Sequence, residues 1–241
     1  METLAFIWGN LTNIAAMTLE HIEIVGVGVG FAILTGVPLG IAITINERLA
    51  KIVLSVASII MTIPSVALFG IMIPVLSVIG QGIGFLPTVI ALFLYSQLPI
   101  VRNTYTAITN IDPALREAAR GMGMKTGERL RKVEIPIALP IIMAGVRMAV
   151  VINVGIAAIA TYIGAGGLGK LISRGISQSD PRQLIAGAIL VSLLAIAADF
   201  GLGWVQRFLT PKGLRSPSRT ANLALRLGAL TGIRKHPRQA H

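Results

Sequence analysis

Long hydrophobic runs alternate with short polar segments along this chain. The runs that carry no charge, or a single one, are about residues 24–45, 52–79, 85–101, 137–163 and 184–205. A membrane's hydrocarbon core is about 30 Å thick and needs about 20 apolar residues per helix, so each run is long enough to cross it, the third by continuing past Arg102. The pattern predicts an all-α, polytopic membrane protein with about five transmembrane helices, and a count of six stays open.

The segment between Lys51 and Arg102 separates a membrane protein from a soluble one. It holds fifty consecutive residues without a charge, which the core of a soluble protein does not explain. We expect two spans here, joined by a short turn. Pro64 and Pro74 lie in the first of them, and because proline removes a backbone hydrogen bond, that span is either continuous or a broken helix.

The basic residues predict an orientation in the membrane. Of the 21 Lys and Arg residues, none precedes Arg48, and they concentrate in residues 46–51, in residues 102–136 and after Trp204. With five spans these three regions share one side, which the positive-inside rule makes cytoplasmic, with the N-terminus outside. The exception is the 164–183 loop, predicted to lie outside although it carries Lys170, Arg174 and Arg182. A net charge of +11 distributed beside apolar spans does not indicate nucleic-acid binding.

The two ends of the chain differ from the predicted transmembrane domain, residues 21–210. In residues 1–20, apolar side chains recur at helical spacing, which predicts an amphipathic segment on the outer surface; an extension of the first span is the alternative. Residues 211–241 carry seven basic residues and no acidic ones. We expect a disordered, basic cytoplasmic tail there. A more specific hypothesis is that this tail contacts anionic lipid.

Arg147 and Asp199 are the charges that lie well inside the predicted spans. Ionisable groups in a membrane are costly and are usually paired or functional. Both lie roughly 12–15 Å from the cytoplasmic ends of their spans, from a rise of 1.5 Å per residue. We therefore predict that they pair or share one polar layer near the translocation path; the alternative is that each extends separately to the interface.

Glycines occur in two kinds of setting. Those at 26, 28, 30, 36 and 40 lie within the first span and include small-xxx-small pairs, which favour close helix packing in lipid. The run GAGGLG contains Gly164, Gly166, Gly167 and Gly169 and follows the fourth span. It predicts a flexible turn on the outer side, near an outer gate where backbone bends as access alternates; a plain surface loop is the alternative.

The polar segment 110–136 predicts a partner in water. Asp112 and Pro113 form a helix start, because the carboxylate caps free amides and proline needs none. Gly121 and Gly123 end this helix, and a second charged segment leads back to the membrane, so we expect a short helix-turn-helix on the cytoplasmic surface. A plain solvated loop is the bland alternative. The run GMGMKT is not a phosphate-binding loop, because that motif requires glycine where Ala119 and Met124 stand.

The same segment resembles a known family. The pattern Glu-Ala-Ala, Gly, and two aliphatic residues before Pro is matched at its spacing by Glu117, Ala118, Ala119, Gly123, Val133, Ile135 and Pro136. It resembles the EAA loop of binding-protein-dependent ABC importer permeases, which have the type I importer transmembrane fold. The resemblance implies that this loop forms a coupling helix in a groove of an ATP-hydrolysing subunit. The Gly164–Gly169 run is also similar to that family.

Four stretches resemble permeases for the osmoprotectants glycine betaine, choline and carnitine in particular: TIPSVALFGIMIPV (62–75), LPIVRNTYTAI (98–108), IDPALREAARGMGM (111–124) and PIIMAGVRMAVV (140–151). A permease for methionine or another small organic solute is the alternative. The resemblance implies a bacterial inner-membrane subunit with no catalytic residue, metal or cofactor of its own, since ATP–Mg is bound by a separate ATPase. The implied partners are two ATP-binding subunits, an extracytoplasmic solute-binding protein, a second permease copy or similar chain, and lipids.

The substrate path is less well defined by the sequence. Quaternary ammonium groups are usually held by aromatic cages, but Tyr95, Tyr105 and Tyr162 are scattered along the chain. We therefore expect the high-affinity cage on the binding protein and a low-affinity path here. Cysteine is absent, and His21 is placed before the first span while the other two histidines lie in the tail, so no zinc cluster is expected.

Overall fold

The computed structural model describes residues 2–210, and these residues are almost entirely helical. The predicted basic tail, residues 211–241, lies outside the described residues. The α-helices of residues 2–210 are α1 (Glu2–Gly9), α2 (Leu11–Ala42), α3 (Glu47–Thr62), α4 (Ser65–Ser77), α5 (Phe85–Thr109), α6 (Pro113–Gly121), α7 (Thr126–Arg129), α8 (Ile135–Ile159), α9 (Gly169–Ser177) and α10 (Pro181–Leu209).

The first span begins earlier than predicted. Helix α1 ends at Gly9, and Asn10, whose side-chain amide donates to the Phe6 carbonyl at 2.9 Å, separates it from α2. Residues 11–20 therefore continue the first span, and the predicted boundary at residue 20 is wrong. No Gly or Pro occurs between Leu11 and Gly26, so nothing in the sequence interrupts the helix there. At 32 residues, α2 is about 48 Å long, longer than the hydrocarbon core.

The second span is a broken helix. Helices α3 and α4 meet at an angle of 98°. Ile63, at the break, is extended with ψ 127°, because a residue before proline is pushed out of the helical region, and Pro64 has no amide to donate. The Tyr95 hydroxyl of α5 donates to the Ile63 carbonyl that the break leaves free. Pro74, in contrast, lies inside α4 without ending it.

The chain passes through the bundle five times if the bent pair counts as one span. Four further segments within residues 2–210 are long and apolar enough to cross a membrane, namely 11–45, 85–109, 126–163 and 181–209. We call the end of the bundle that carries α6 and α7 the coupling end. At the opposite end, Glu20 of α2 contacts Gly167, and the Gly84 amide donates to the Ile163 carbonyl at 2.7 Å.

The helical core is built around α5, which packs between α2 and α8. Glycines of α2 allow the closest approach: a Cβ at Gly28 would lie 2.9 Å from the Leu92 side chain, and one at Gly40 would lie 2.6 Å from Thr104. Gly36 likewise faces α5. Gly26 and Gly30 do not, since a Cβ at either would meet nothing within 4 Å. The predicted glycine packing is thus correct for one face of α2 only.

The loop predicted at residues 164–183 contains a helix, α9, that the sequence did not predict. Two of its three basic residues have acidic partners: Lys170 pairs with Glu20 at 3.0 Å, and Arg182 pairs with Asp180 at 3.1 Å. The Arg182 guanidinium, by hydrogen bonding, holds the pKa of the Asp180 carboxyl below its ordinary value. Asp180 also accepts from the Arg182 amide at 3.0 Å, which caps the start of α10. These residues therefore fix the entry into the last span.

Candidate functional site

The helix predicted in the polar segment is α6, and its two ends form as expected. The Asp112 carboxylate accepts from the Ala114 amide at 2.9 Å, with Pro113 as the first helical residue. Gly123 has a φ of +80°, which favours glycine, and the Met124 amide donates back to the Ala119 carbonyl at 3.2 Å. The predicted helix and turn are confirmed.

One face of α6 exposes apolar side chains at the coupling end. Leu115 is 45% exposed and Met122 is 69% exposed, and Ala118 lies between them on the same face. We call these three residues the apolar stripe. Glu117 is exposed beside it and has no ion-pair partner within residues 2–210. Apolar anchors at positions i, i+3 and i+7 of a short amphipathic helix are the pattern of a helix that binds in a groove.

The other residues of the motif lie elsewhere. Ala119 is 1% exposed and faces inward from α6. Val133 lies in a π-helical stretch, residues 130–134, and Ile135 and Pro136 begin α8. All three are half-buried, and Ile135 packs against the cluster of Ala107, Ile108, Ile111, Ala138 and Ile142. The motif therefore combines an exposed helix with half-buried residues at the start of α8, and we call residues 133–136 the packed base.

Glu134 is a buried carboxylate at this base that the sequence analysis missed. It is 5% exposed, and its Oε1 accepts from Arg129 Nε at 2.8 Å and lies 3.4 Å from Arg116 Nε. The available signal was local: an acidic residue stands within the otherwise apolar run Val-Glu-Ile-Pro. Its partners, however, come from two other segments of the loop.

Arg147 and Asp199 form a direct ion pair between α8 and α10. Arg147 Nε donates to Oδ1 at 2.9 Å and Nη2 donates to Oδ2 at 2.8 Å, so the pair is bidentate. Arg147 Nη1 also donates to Gln206 Oε1 at 3.0 Å, and Gln206 Nε2 donates to the Pro140 carbonyl at 2.9 Å. The predicted pairing is correct, and the sequence did not predict the role of Gln206.

A second polar contact lies inside the bundle. Asn153 of α8 donates from Nδ2 to Ser96 Oγ of α5 at 2.6 Å, and both residues are fully buried. Asn153 Nδ2 also donates to the Ala149 carbonyl at 2.9 Å, while its Oδ1 has no partner within residues 2–210. The sequence does not predict this pair, because neither residue is charged. Such contacts link membrane helices where no water competes.

At the opposite end, the glycine loop (residues 164–169) is packed rather than flexible. Gly164, Gly166 and Gly167 have φ values of +82°, +92° and +73°, so the predicted need for glycine is met. However, Ala165 is 6% exposed and Leu168 is 1% exposed. The expectation of a flexible turn is therefore wrong, because the loop folds back onto α2.

Glu20 and His21 of α2 hold this loop. The Gly167 amide donates to Glu20 Oε2 at 2.8 Å, and a Cβ at Gly166 would overlap the Glu20 carboxylate. His21 lies inside α2 rather than before the span; it is fully buried, with Nε2 3.1 Å from the Val154 carbonyl. Gly169 belongs to α9, where it touches the backbone of α8.

The acidic, histidine and tyrosine side chains of residues 2–210 are dispersed through the bundle. Within residues 2–210, no group of three or more His, Asp or Glu side chains is arranged to hold a metal ion. Tyr95 belongs to the central cluster, Tyr105 packs near the coupling end, and Tyr162 is 63% exposed. The three phenol rings do not come together.

Five membrane passes, a bent second span and an exposed amphipathic helix between the third and fourth passes define a polytopic membrane protein. The family of binding-protein-dependent transport system inner membrane components matches residues 32–212, and the chain belongs to it. The resemblance noted in the sequence is thereby confirmed.

Curated relatives cover most of the chain. The osmoprotectant import permease protein OsmW of Salmonella typhimurium is 55% identical over 215 residues, which cover 89% of this chain and 100% of that protein. The carnitine transport permease protein OpuCD of Listeria monocytogenes is 46% identical over 200 residues, covering 82% and 87%. The glycine betaine/carnitine/choline transport system permease protein OpuCB of Bacillus subtilis is 41% identical, covering 89% and 96%.

Solved structures share the fold. The inward-facing MetNI methionine ABC transporter has a chain with a TM-score of 0.74 and 25% identity, covering 85% of this chain and 98% of its own. An amino acid ABC transporter with histidines has a TM-score of 0.70 at 18% identity, covering 86% and 98%, which shows the fold alone. The fold is that of a type I ABC importer transmembrane domain.

Proposed function

We propose that this chain is the permease subunit of an ATP-driven ABC importer that carries a quaternary ammonium osmoprotectant across the cytoplasmic membrane. Glycine betaine, choline and carnitine are the candidate solutes. Three relatives with 41–55% identity, each covering more than four-fifths of this chain, bear names of osmoprotectant, carnitine, or glycine betaine/carnitine/choline permeases. ATP–Mg binds to a partner ATPase, and this chain binds no cofactor.

The exposed apolar stripe of α6 is the observation that supports the coupling role. Leu115 of α6 and Met122 directly after it present apolar surface, and both lie outside the candidate membrane spans. In this proposal the helix binds in a groove of the ATP-binding subunit, with Glu117 at the edge of the contact. When two ATPase subunits close on ATP, they move α6, and that movement alters which side of the membrane the path opens to.

The orientation follows from the same assignment. The coupling end faces the cytoplasm, where the ATPase subunits are, and the N-terminus lies outside. A solute-binding protein loaded with solute docks at the opposite end, close to the glycine loop, which we place near the outer gate. Five spans are too few to enclose a pathway alone, so a second copy or a similar permease chain completes it.

In this proposal the solute path has low affinity, and the polar groups within the spans pair with one another. The Arg147–Asp199 pair and the Ser96–Asn153 contact place polar side chains on α5, α8 and α10 within the membrane. No aromatic cage forms from the tyrosines of the described chain. The binding protein therefore selects the solute and holds it by an aromatic cage, and this chain passes it on.

A permease for methionine or another small organic solute is the second candidate. The likeness to a chain of the MetNI methionine transporter, with a TM-score of 0.74, favours it on fold. The higher identities favour the osmoprotectants. Titration of the cognate binding protein with glycine betaine, choline, carnitine and methionine decides between them by which solute binds.

Site-specific cross-linking tests the coupling assignment. The chain has no cysteine, so Glu117→Cys introduces a single thiol on α6, to which a photoactivatable maleimide is attached in the native membrane. We expect a cross-linked product with an ATP-binding subunit, identified by mass spectrometry. The matched control is Gln178→Cys, exposed just after α9 at the opposite end, which should give no such product. Equal cross-linking from both positions, or none from Glu117→Cys, would reject the coupling role.

A further inference from the structure

We propose that Glu134 is a positioning residue that joins the coupling helix rigidly to the spans, so that movement imposed on α6 reaches α5 and α8. This inference rests on the proposed function, and it assigns a role to a residue at a position that the family motif leaves unspecified, between Val133 and Ile135. The observation is a buried carboxylate held by two arginines from different segments of the loop.

The geometry of Glu134 joins three segments at one carboxylate. Its side chain is 6% exposed and lies at the end of the π-helical stretch that leads into α8. Arg129 of α7 donates to it at 2.8 Å, and Arg116 of α6 lies 3.4 Å away. Because π-helical stretches in helices are rare and often mark functional sites, this distortion favours a specific role for the carboxylate it carries.

Arg116 extends the connection to a fourth segment. Its Nη2 donates to the carbonyl of Ile108, in the last turn of α5. Ile108 is 2% exposed and belongs to the apolar cluster, described above, that joins the end of α5 to the start of α8. The carboxylate and its two arginines thus lie on a packed apolar base, and a displacement of α6 is applied directly to both spans.

Apart from this carboxylate, few described contacts hold α6 in place: the Arg116 bond to the Ile108 carbonyl is one, and the burial of Ala119 is another. Ala119 is the one residue of α6 that is buried in the described structure. On one side α6 is separated from α5 by Asn110, Ile111 and Asp112, and on the other side the glycine turn separates it from α7. A helix held by so few contacts would move with little effect on the spans, whereas coupling between sites requires connected contacts.

Burial distinguishes Glu134 from the other acidic residue nearby. Glu128 pairs with Lys132 at 2.7 Å, but the two side chains are 42% and 64% exposed. Exposed ion pairs contribute little because water and salt screen them, whereas removal of one member of a buried pair leaves an uncompensated charge. Glu134 and Glu128 therefore form a matched pair for mutation within one loop.

The test uses the whole complex, with ATPase subunits and binding protein, in proteoliposomes. For each variant we would measure the amount of radiolabelled glycine betaine imported per ATP hydrolysed, trying choline and carnitine if the wild type does not import betaine. Because mutations along coupling networks change coupling by a factor of about 2 to 30, we expect Glu134→Gln to lower this ratio by about that much. Glu128→Gln should leave it unchanged, and Glu134→Asp should restore part of it.

A second variant guards against misfolding of the first. Arg116→Lys keeps the positive charge but removes the guanidinium that reaches both Glu134 and Ile108, so it should lower the ratio as well. An unchanged ratio in both Glu134→Gln and Arg116→Lys would overturn the inference. So would a proportional fall of import and hydrolysis with the amount of folded complex, since that is the result of a merely structural role.

Different results would reject the proposed function of the chain and the role of Glu134. If the wild-type chain does not purify with an ATP-binding subunit, the proposed function fails. If the subunit purifies with both the wild type and Glu134→Gln, and the Glu117→Cys cross-link persists in both, but the import ratio is the same, only the role of Glu134 is rejected.

Discussion

The ion pair between Arg147 and Asp199 allows a quantitative prediction. The perturbation is a double-mutant cycle with Arg147→Ala, Asp199→Ala and the double variant. The guanidinium makes two hydrogen bonds to the carboxylate, at 2.9 Å and 2.8 Å, and a third to Gln206 at 3.0 Å. Each single substitution therefore leaves one charge within a span without its partner.

The expected loss of unfolding free energy in each single variant follows from the cost of a lone charge in a membrane and from the exposure of that charge. A lone Asp or Arg at the centre of a membrane helix costs about 2.5–3.5 kcal/mol on insertion scales. The two side chains are 30% and 40% exposed on the isolated chain, so we expect about half of that, about 1–2 kcal/mol, for each single variant. The double variant should lose no more than the worse single one. The interaction free energy is then about 1–2 kcal/mol, comparable with the largest polar contacts measured between membrane helices, about 1.7 kcal/mol.

These free energies of unfolding are measured by steric trapping, which monitors reversible unfolding of the protein in bicelles. A control cycle combines Arg147→Ala with Glu128→Ala, because the Glu128 side chain pairs with Lys132 outside the spans, and the two losses should add. Losses of Arg147→Ala and Asp199→Ala that add within about 0.5 kcal/mol would refute the pairing. Each side chain would then interact separately with the interface.

Three further substitutions test other contacts. Gly40→Ala places a Cβ 2.6 Å from a side chain of α5 and should lower the free energy of unfolding by about 1–3 kcal/mol. Gly26→Ala is the control, because a Cβ there meets open space, and it should not lower the free energy of unfolding. Equal effects of the two substitutions would contradict the packing described. Tyr95→Phe removes the donor to the Ile63 carbonyl and should cost about 1 kcal/mol of unfolding free energy, and an unchanged thermal midpoint would mean that packing alone holds the bend. Glu20→Gln should speed deuterium exchange in the glycine loop, and unaltered protection would show that the carboxylate is dispensable.

Helix α6 could be predicted because its signals are local. Asp112 and Pro113 define its start and Gly123 its end within a dozen residues, and short-range caps do not depend on the rest of the fold. The Arg147–Asp199 pair could be predicted for another reason. Charges inside spans are so few that each has almost no alternative partner.

Other features depend on contacts between distant segments and could not be predicted. Glu20 and the glycine loop are 147 residues apart, and no periodicity relates them. The sequence does not decide whether Pro64 breaks the second span, because proline also occurs within continuous helices, as Pro74 does here. Residues 11–20 resembled a separate amphipathic segment, yet they continue α2, since an apolar pattern alone does not locate the break at Asn10.

The central claim is that this chain imports solute under the control of an ATPase bound at α6, and ATP-dependent uptake tests it most directly. The complex is reconstituted with the wild-type chain or with Leu115→Asp and Met122→Asp combined, which puts charge on the apolar stripe without touching a buried residue. We expect labelled betaine, choline or carnitine to accumulate with the wild type only when ATP is present on the coupling side. The stripe variant should fold but lose both the ATPase subunit and the uptake. Full ATP-dependent uptake by the stripe variant, or uptake by the wild type without any ATPase, would contradict the claim.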